Sequence, residues 1–225
     1  MPVARAPFGP GVTVRPSARA KLTAAGAALL MAVCLDIPSR AGPAAADGET
    51  ARQEVADAYQ KLEATSYRMR MTAPGQTVLV EHVPPNSRRT ITQITGEVGE
   101  VETIMVGNDI RSRVTGPGVP GTWECSAAGP QRPIVLTMKD FGMALEVSRR
   151  PDILIAGSPA HTYELVYSVQ GGKPAGATIL YIDAQTGLPR RSVTPYPLGA
   201  GDVIVDYYDY GAPISITLPA CGEAR

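Results

Sequence analysis

From Ser66 onward the chain alternates. Tyr67, Met69 and Met71 take turns with Arg68 and Arg70, and Tyr163, Leu165 and Tyr167 take turns with Glu164 and Ser168. A period of two sends successive side chains to opposite faces of a strand, one apolar and one wet. Turn signals punctuate these runs: Pro74-Gly75, Pro84-Pro85-Asn86, Gly107-Asn108-Asp109, Gly157-Ser158-Pro159, Thr186-Gly187 and Gly211-Ala212-Pro213. Short strands joined by tight turns make antiparallel hairpins. About ten are predicted between Tyr67 and Leu218, the last two at 203–210 and 214–218.

Helical spacing occurs in two places. Residues 49–65 carry Val55, Tyr59 and Leu62 in one stripe, with no Gly or Pro between them. Residues 137–148 are predicted as a second, shorter helix that Pro151 ends. A sheet of this many strands curls, and two helices cannot cover all of it. The expected fold class is therefore α+β: an incomplete β-barrel with helices over its open mouth, enclosing an apolar cavity.

The first 46 residues read differently. Arg5, Arg15, Arg19 and Lys21 precede an apolar run of 14 residues, Leu22–Leu35, and small residues end the segment at Ala44-Ala45-Ala46. A basic start, a short apolar core and a small-residue end form the pattern of a secretory signal peptide. Cleavage after Ala46 is expected, with Ala41 as the alternative and an uncleaved anchor as the other reading. Cys34 is preceded by Met31-Ala32-Val33, and Val stands where a lipidation motif wants a small residue. Residues 47–225 then form a single domain, exported to the periplasm or beyond. They carry 16 basic and 20 acidic residues, a net charge of −4, without the basic stripe that nucleic-acid binding requires.

Two cysteines remain in that domain, Cys125 and Cys221. An even count in an exported chain points to one disulfide, with two buried free thiols as the alternative. Neither these cysteines nor His82 and His161 show metal-ligand spacing, so no metal and no cofactor is expected. Gly157-Ser158-Pro159 is not a nucleophile elbow, and no carboxylate pair is marked for acid–base work, so no catalytic residue is assigned.

Three passages carry a resemblance. Tyr67-Arg-Met-Arg-Met71 followed by Val83-Pro-Pro-Asn-Ser-Arg-Arg89 resembles the early strands of the LolA/LolB-like lipoprotein carrier superfamily. Glu102–Ile110 followed by Trp123 resembles that family's strand, tight turn, strand and Trp. Leu180–Arg190 and Tyr207–Ile216 resemble the end of the LppX/LprG-like branch. The resemblance covers most of residues 50–219 and includes the outer-membrane lipoprotein-sorting proteins. It implies a non-catalytic protein that holds a lipid or acylated ligand in a half-barrel, shuttling it between a membrane donor and an acceptor protein. The RseB-like regulators share the fold and bind partner proteins, which is the second reading. The chain is expected to be a monomer.

Period two places Met69, Met71, Val78, Val80, Val101, Met105, Leu165, Ile179 and Tyr181 on inward faces as candidate cavity lining. Methionine suits a variable apolar ligand because it is unbranched and adaptable. Arg68, Arg70, Glu81, Glu102, Glu164 and Thr178 fall outward, so Glu102→Gln is expected to be neutral. Arg88 and Arg89 are candidate gate or headgroup contacts. The leader segment predicts a mature N-terminus near Asp47. Intact mass of the protein recovered outside the cytoplasm checks this; a species retaining residues 1–46, or one starting at acylated Cys34, contradicts it.

Overall fold

A computed structural model of the chain describes residues 43–96, 99–127, 144–169, 172–196 and 201–222. One helix, α1 (Pro43–Glu63), leads the chain. Seven strands follow: β1 (Tyr67–Ala73), β2 (Gln76–Val83), β3 (Ser87–Ile94), β4 (Glu100–Val106), β5 (Asp109–Gly116), β6 (Val119–Pro120) and β7 (Glu124–Ala127). Five more complete the fold: β8 (Ala144–Ile155), β9 (Ser158–Val169), β10 (Lys173–Asp183), β11 (Pro189–Pro195) and β12 (Asp202–Tyr208). No helix among the described residues is long and apolar enough to cross a membrane.

All 12 strands join one antiparallel sheet in the order β6-β5-β4-β3-β2-β1-β12-β11-β10-β9-β8, with β7 also on the edge of β5. Two meanders, β1–β7 and β8–β12, meet where β1 pairs with β12. Open twisted sheets of this size rarely stay extended without curling. The helix contacts agree: Arg52 Nη2 donates to the Leu145 carbonyl in β8, while the Glu63 carbonyl meets His82 Nε2 in β2. Six strand steps separate β8 from β2, about 29 Å if flat. Arg52 and Glu63 are about 16 Å apart along the helix. Side-chain reach covers part of the difference, and curling of the sheet toward α1 covers the rest.

The main core lies under α1. Ala51, Val55 and Ala58 pack on Leu145, Val147, Tyr163, Leu165, Leu180 and Ile182, with Tyr59 and Tyr167 beside them. Leu62 and Leu180 are fully buried, each worth about 2 kcal/mol of apolar transfer. The stripe read from the sequence is thus the packing face of the helix, although α1 starts at Pro43 rather than 49 and ends at Glu63 rather than 65.

Two sequence readings are corrected. Ala144–Ser148, predicted as the end of a second helix, belongs to β8; residues 137–143 lie outside the described residues. Leu145 and Val147 are buried while Ala144, Glu146 and Ser148 are exposed, which is a period of two, and β9 pairs along the whole segment. Pro151 sits inside β8 at a register shift between Arg150 and Ile153. It is tolerated because β8 is an edge strand among the described residues and needs no donor there. One helix, not two, is therefore described. Residues 214–218, predicted as a strand, form no ladder. Ile214, Ile216 and Leu218 are half-buried, and Pro213, Ser215 and Thr217 between them are exposed.

This segment is a strap. Gly211 N donates to the Ser66 carbonyl at the start of β1, and Cys221 is bonded to Cys125 in β7, Cα–Cα 5.7 Å. Between these anchors the strap must pass β1 through β5. The bond closes a separation of 96 residues. In the chain-entropy model such a closure contributes about 4.7 kcal/mol. Cys221→Ser should therefore lower the guanidinium midpoint by the equivalent of about 4.7 kcal/mol, as should reduction of the wild type. An unchanged midpoint would show that the strap adds nothing to stability.

Candidate binding face

Directly paired residues of antiparallel strands share a face, so the registers divide the sheet into two surfaces. One row on the helix side reads Tyr207, Met69, Val80, Thr90, Thr103, Ser112. A second reads Val205, Met71, Val78, Thr92, Val101, Val114, and a third reads Tyr67, His82, Arg88, Met105, Ile110. Across β12, β11 and β10 the same face carries Ser192, Leu180 and Ile182, and across β9 and β8 it carries Tyr163, Leu165, Val147 and Leu145.

Met69, Met71, Val78, Val80, Val101, Met105 and Leu165 all share the helix face, as their spacing predicted. Ile179 and Tyr181 do not. Ile179 pairs with Glu164 and Val193, and Tyr181 with Arg191, so both lie on the outer face. Thr178, read as outward, pairs with Leu165 on the helix face, and its hydroxyl meets that of Thr194 at 2.8 Å. The sequence Ile179-Leu180-Tyr181-Ile182 is apolar at four successive positions, so alternation alone could not select the phase. The selecting contacts come from α1, against Leu180 and Ile182.

Exposure separates the seven further. Met69, Val78, Val80 and Leu165 are 5% exposed or less, as closed-core residues are. Met71, Val101 and Met105 are half-buried, as is Ile110, and Val114 is 48% exposed. The open part of this face lies over β3–β5, away from the α1 core on β8–β10. It mixes apolar side chains with the hydroxyls of Thr90, Thr92, Thr103 and Ser112.

Where the two meanders join, the helix face is lined by tyrosines. The Tyr67 ring lies 4.9 Å from the His82 ring and 6.1 Å from Tyr207, centroid to centroid. Burial pushes the Tyr59 hydroxyl up to about 12 and holds Tyr207 well above the ordinary tyrosine value. These groups stay neutral and cannot act as bases near neutral pH. His82 is 3% exposed, and burial lowers its pKa. Among the described residues no group of three or more His, Cys, Asp or Glu is placed to hold a metal ion.

The outer face carries a ladder of charges. Arg68 bridges Asp209 and Glu81; Arg89 bridges Glu81 and Glu102; Arg113 bonds Glu102 and lies 4.6 Å from the Trp123 ring centroid. Glu102 was read as a solvated, neutral position, and this is corrected: it is 2% exposed. Its partners stand 13 and 11 residues away in β3 and β5, a placement visible only in the register. Arg88 and Arg89, adjacent in sequence, thus separate: Arg89 is held in the ladder, and Arg88 turns to the helix face beside Tyr67.

Burial alone would raise the Glu102 pKa, but hydrogen bonds and charge from Arg89 and Arg113 outweigh it and hold the carboxyl below its usual value of 4.5. A depressed folded pKa gives stability that is fully present above the unfolded value and is lost as pH falls below 4.5 toward the folded one. Glu102→Gln should cost about 3 kcal/mol near neutral pH, the low end for breaking a buried pair, since Arg89 is 38% exposed. It should also flatten the fall of stability between pH 5 and 3 (chemical denaturation across about that range). A neutral effect would place Glu102 in solvent.

No protein-family model matches the sequence, and no curated protein matches it. Solved structures do match. MucB superposes with a TM-score of 0.43 and 15% identity, over 81% of this chain and 66% of that one. The Pseudomonas aeruginosa MucA/MucB complex gives 0.42 and 14%, over 74% and 59%. A LolA superfamily protein from Nitrosomonas europaea gives 0.28 and 12%, over 75% and 94%. The chain spans 66% or less of the MucB chains cited. Its structure is similar, at low identity, to MucB and to a LolA superfamily protein.

Proposed function

We propose that the chain is an exported, non-catalytic protein that binds a lipid or acylated molecule against the helix face of β3–β5. The observation that carries this is the run of apolar side chains beyond the α1 core: Met71, Val101, Met105, Ile110 and Val114 are half-buried or exposed on that face. An acyl chain laid there gains about 0.8 kcal/mol for each methylene taken from water. Thr90, Thr103 and Ser112 offer hydroxyls beside it, suited to a ligand that is part apolar and part polar. Shuttling between a membrane donor and an acceptor protein is the role this binding would serve.

A second reading has its own support. β8 is an edge strand among the described residues, and its hairpin tip presents Ile153 (42% exposed) and Leu154 (70%). An edge with apolar residues beside it can accept an extended segment of a partner protein.

The two readings part in one experiment. Val101→Phe should leave the melting temperature within about 2 °C and weaken a fluorescent fatty-acid probe about tenfold or more, because the side chain fills open space. Val80→Phe, at a closed position, should lose about 1–3 kcal/mol of stability. Wild-type protein that binds no probe, with Val101→Phe as damaging as Val80→Phe, would mean the face is packed shut. The partner-binding reading at β8 would then stand in its place.

A further inference from the structure

Three neighbouring side chains of one cross-strand row, Tyr67, His82 and Arg88, bury polar atoms whose hydrogen-bonding capacity is not fully used: His82 Nδ1 and Arg88 Nε have no partner, and the Tyr67 oxygen, which faces the Arg88 guanidinium, has no acceptor for its proton. Tyr67 is fully buried and His82 is 3% exposed. Leaving one such group unsatisfied is unfavourable, and folded proteins rarely tolerate three together. Arg88 differs from its neighbours in charge pairing too. Arg89 pairs with Glu81 and Glu102, and Arg149, the helix-face arginine of β8, pairs with Glu54 and Asp152. Arg88 has no ion-pair partner among the described residues. Arg88 is only partly buried, unlike Tyr67 and His82.

From this geometry we infer that Tyr67, His82 and Arg88 form a site for an anionic headgroup, a phosphate or carboxylate with a hydroxyl beside it. This deepens the lipid-binding reading and rests on it. The donor and acceptor count sets the chemistry. The Arg88 Nε–H and the Tyr67 O–H both donate, and two donors, one of them charged, suit one anionic oxygen group. His82 Nε2 lies 3.3 Å from the Glu63 carbonyl oxygen, so Nε2 carries the proton and Nδ1 is left as an acceptor. That acceptor takes a hydroxyl of the same headgroup. The row then continues to Met105 and Ile110 on β4 and β5, with Val101 and Val114 in the row alongside. A headgroup held at Arg88 would start its acyl chain directly on the open apolar face.

The test compares a fluorescent long-chain fatty acid with its methyl ester, which keeps the chain and removes the charge. Wild-type protein should bind the acid about tenfold more tightly, the size of one charge-assisted hydrogen bond. Arg88→Gln should abolish that preference and leave ester binding unchanged, while Arg88→Lys should keep part of it. Tyr67→Phe should reduce the preference with little change in the melting temperature, because the hydroxyl it deletes faces only the partly buried Arg88 side chain. Equal binding of acid and ester by wild type, or an acid preference that survives Arg88→Gln, overturns the headgroup site and leaves the apolar face standing. Binding of neither probe overturns both. Calorimetry with inorganic phosphate alone separates the sources: heat that is lost in Arg88→Gln means the trio takes a free anion, and no heat with the acid preference intact means the headgroup is held through its chain.

Discussion

The pairing of β1 with β12 is the contact on which the rest depends. It joins strands from opposite ends of the chain, Arg68 to Tyr208 and Thr72 to Ile204, and turns two separate meanders into one sheet. Ordering two strands so distant in sequence is entropically unfavourable, so the seam needs strong local support. Tyr67 and Tyr207 pack there on the helix face with their rings tilted, centroids 6.1 Å apart. On the outer face Arg68 holds Asp209, just past the end of β12. Gly211 bonds back to Ser66. The C-terminal strap starts from this seam and the disulfide ends it at β7. One closure thus joins the half of the sheet under α1 to the β1–β5 half.

The two faces of the β1–β5 half are stabilised in opposite ways. Outside, alternating charges satisfy one another across the strands, with Glu102 between two arginines. Such a network leaves few free groups and favours one register. Inside, the side chains are apolar or hydroxylic, half-buried toward β5, and one arginine lacks a counter-charge. The outer face is largely paired, although Arg111 Nε on β5 is buried there without a partner, whereas the helix face gathers Tyr67, His82 and Arg88 in one row. The second is where a ligand has something to supply, and both the apolar rows and the Tyr67–His82–Arg88 trio lie on it.

Much of this was legible in the sequence, where local pattern and tertiary demand agree. The helix stripe of Val55, Tyr59 and Leu62 and the alternation at Met69, Met71, Val78 and Val80 report burial against a single neighbouring layer. The bond between Cys125 and Cys221 is one of the two outcomes that their even number left open. The misreadings share one cause. Leu145-Glu146-Val147 was too short a run to choose between periods, and β9 decides it. Ile179 to Ile182 are apolar in both phases, and the helix decides which pair is inside. Glu102 looks like any outward carboxylate until Arg89 and Arg113 are brought beside it. In each case the deciding partner lies on another strand or on the helix, and spacing within the segment holds no trace of it.

The central claim is that the helix face over β3–β5 receives an apolar ligand. Methyl-labelled methionine NMR tests it directly, because the native methionines sample both the closed and the open part of that face. On addition of a spin-labelled long-chain fatty acid, the Met71 and Met105 methyl signals should broaden and that of core-packed Met69 should change least. If none of the three responds while the protein remains folded, or if Met69 broadens as much as the other two, the ligand does not occupy this face and the account is wrong.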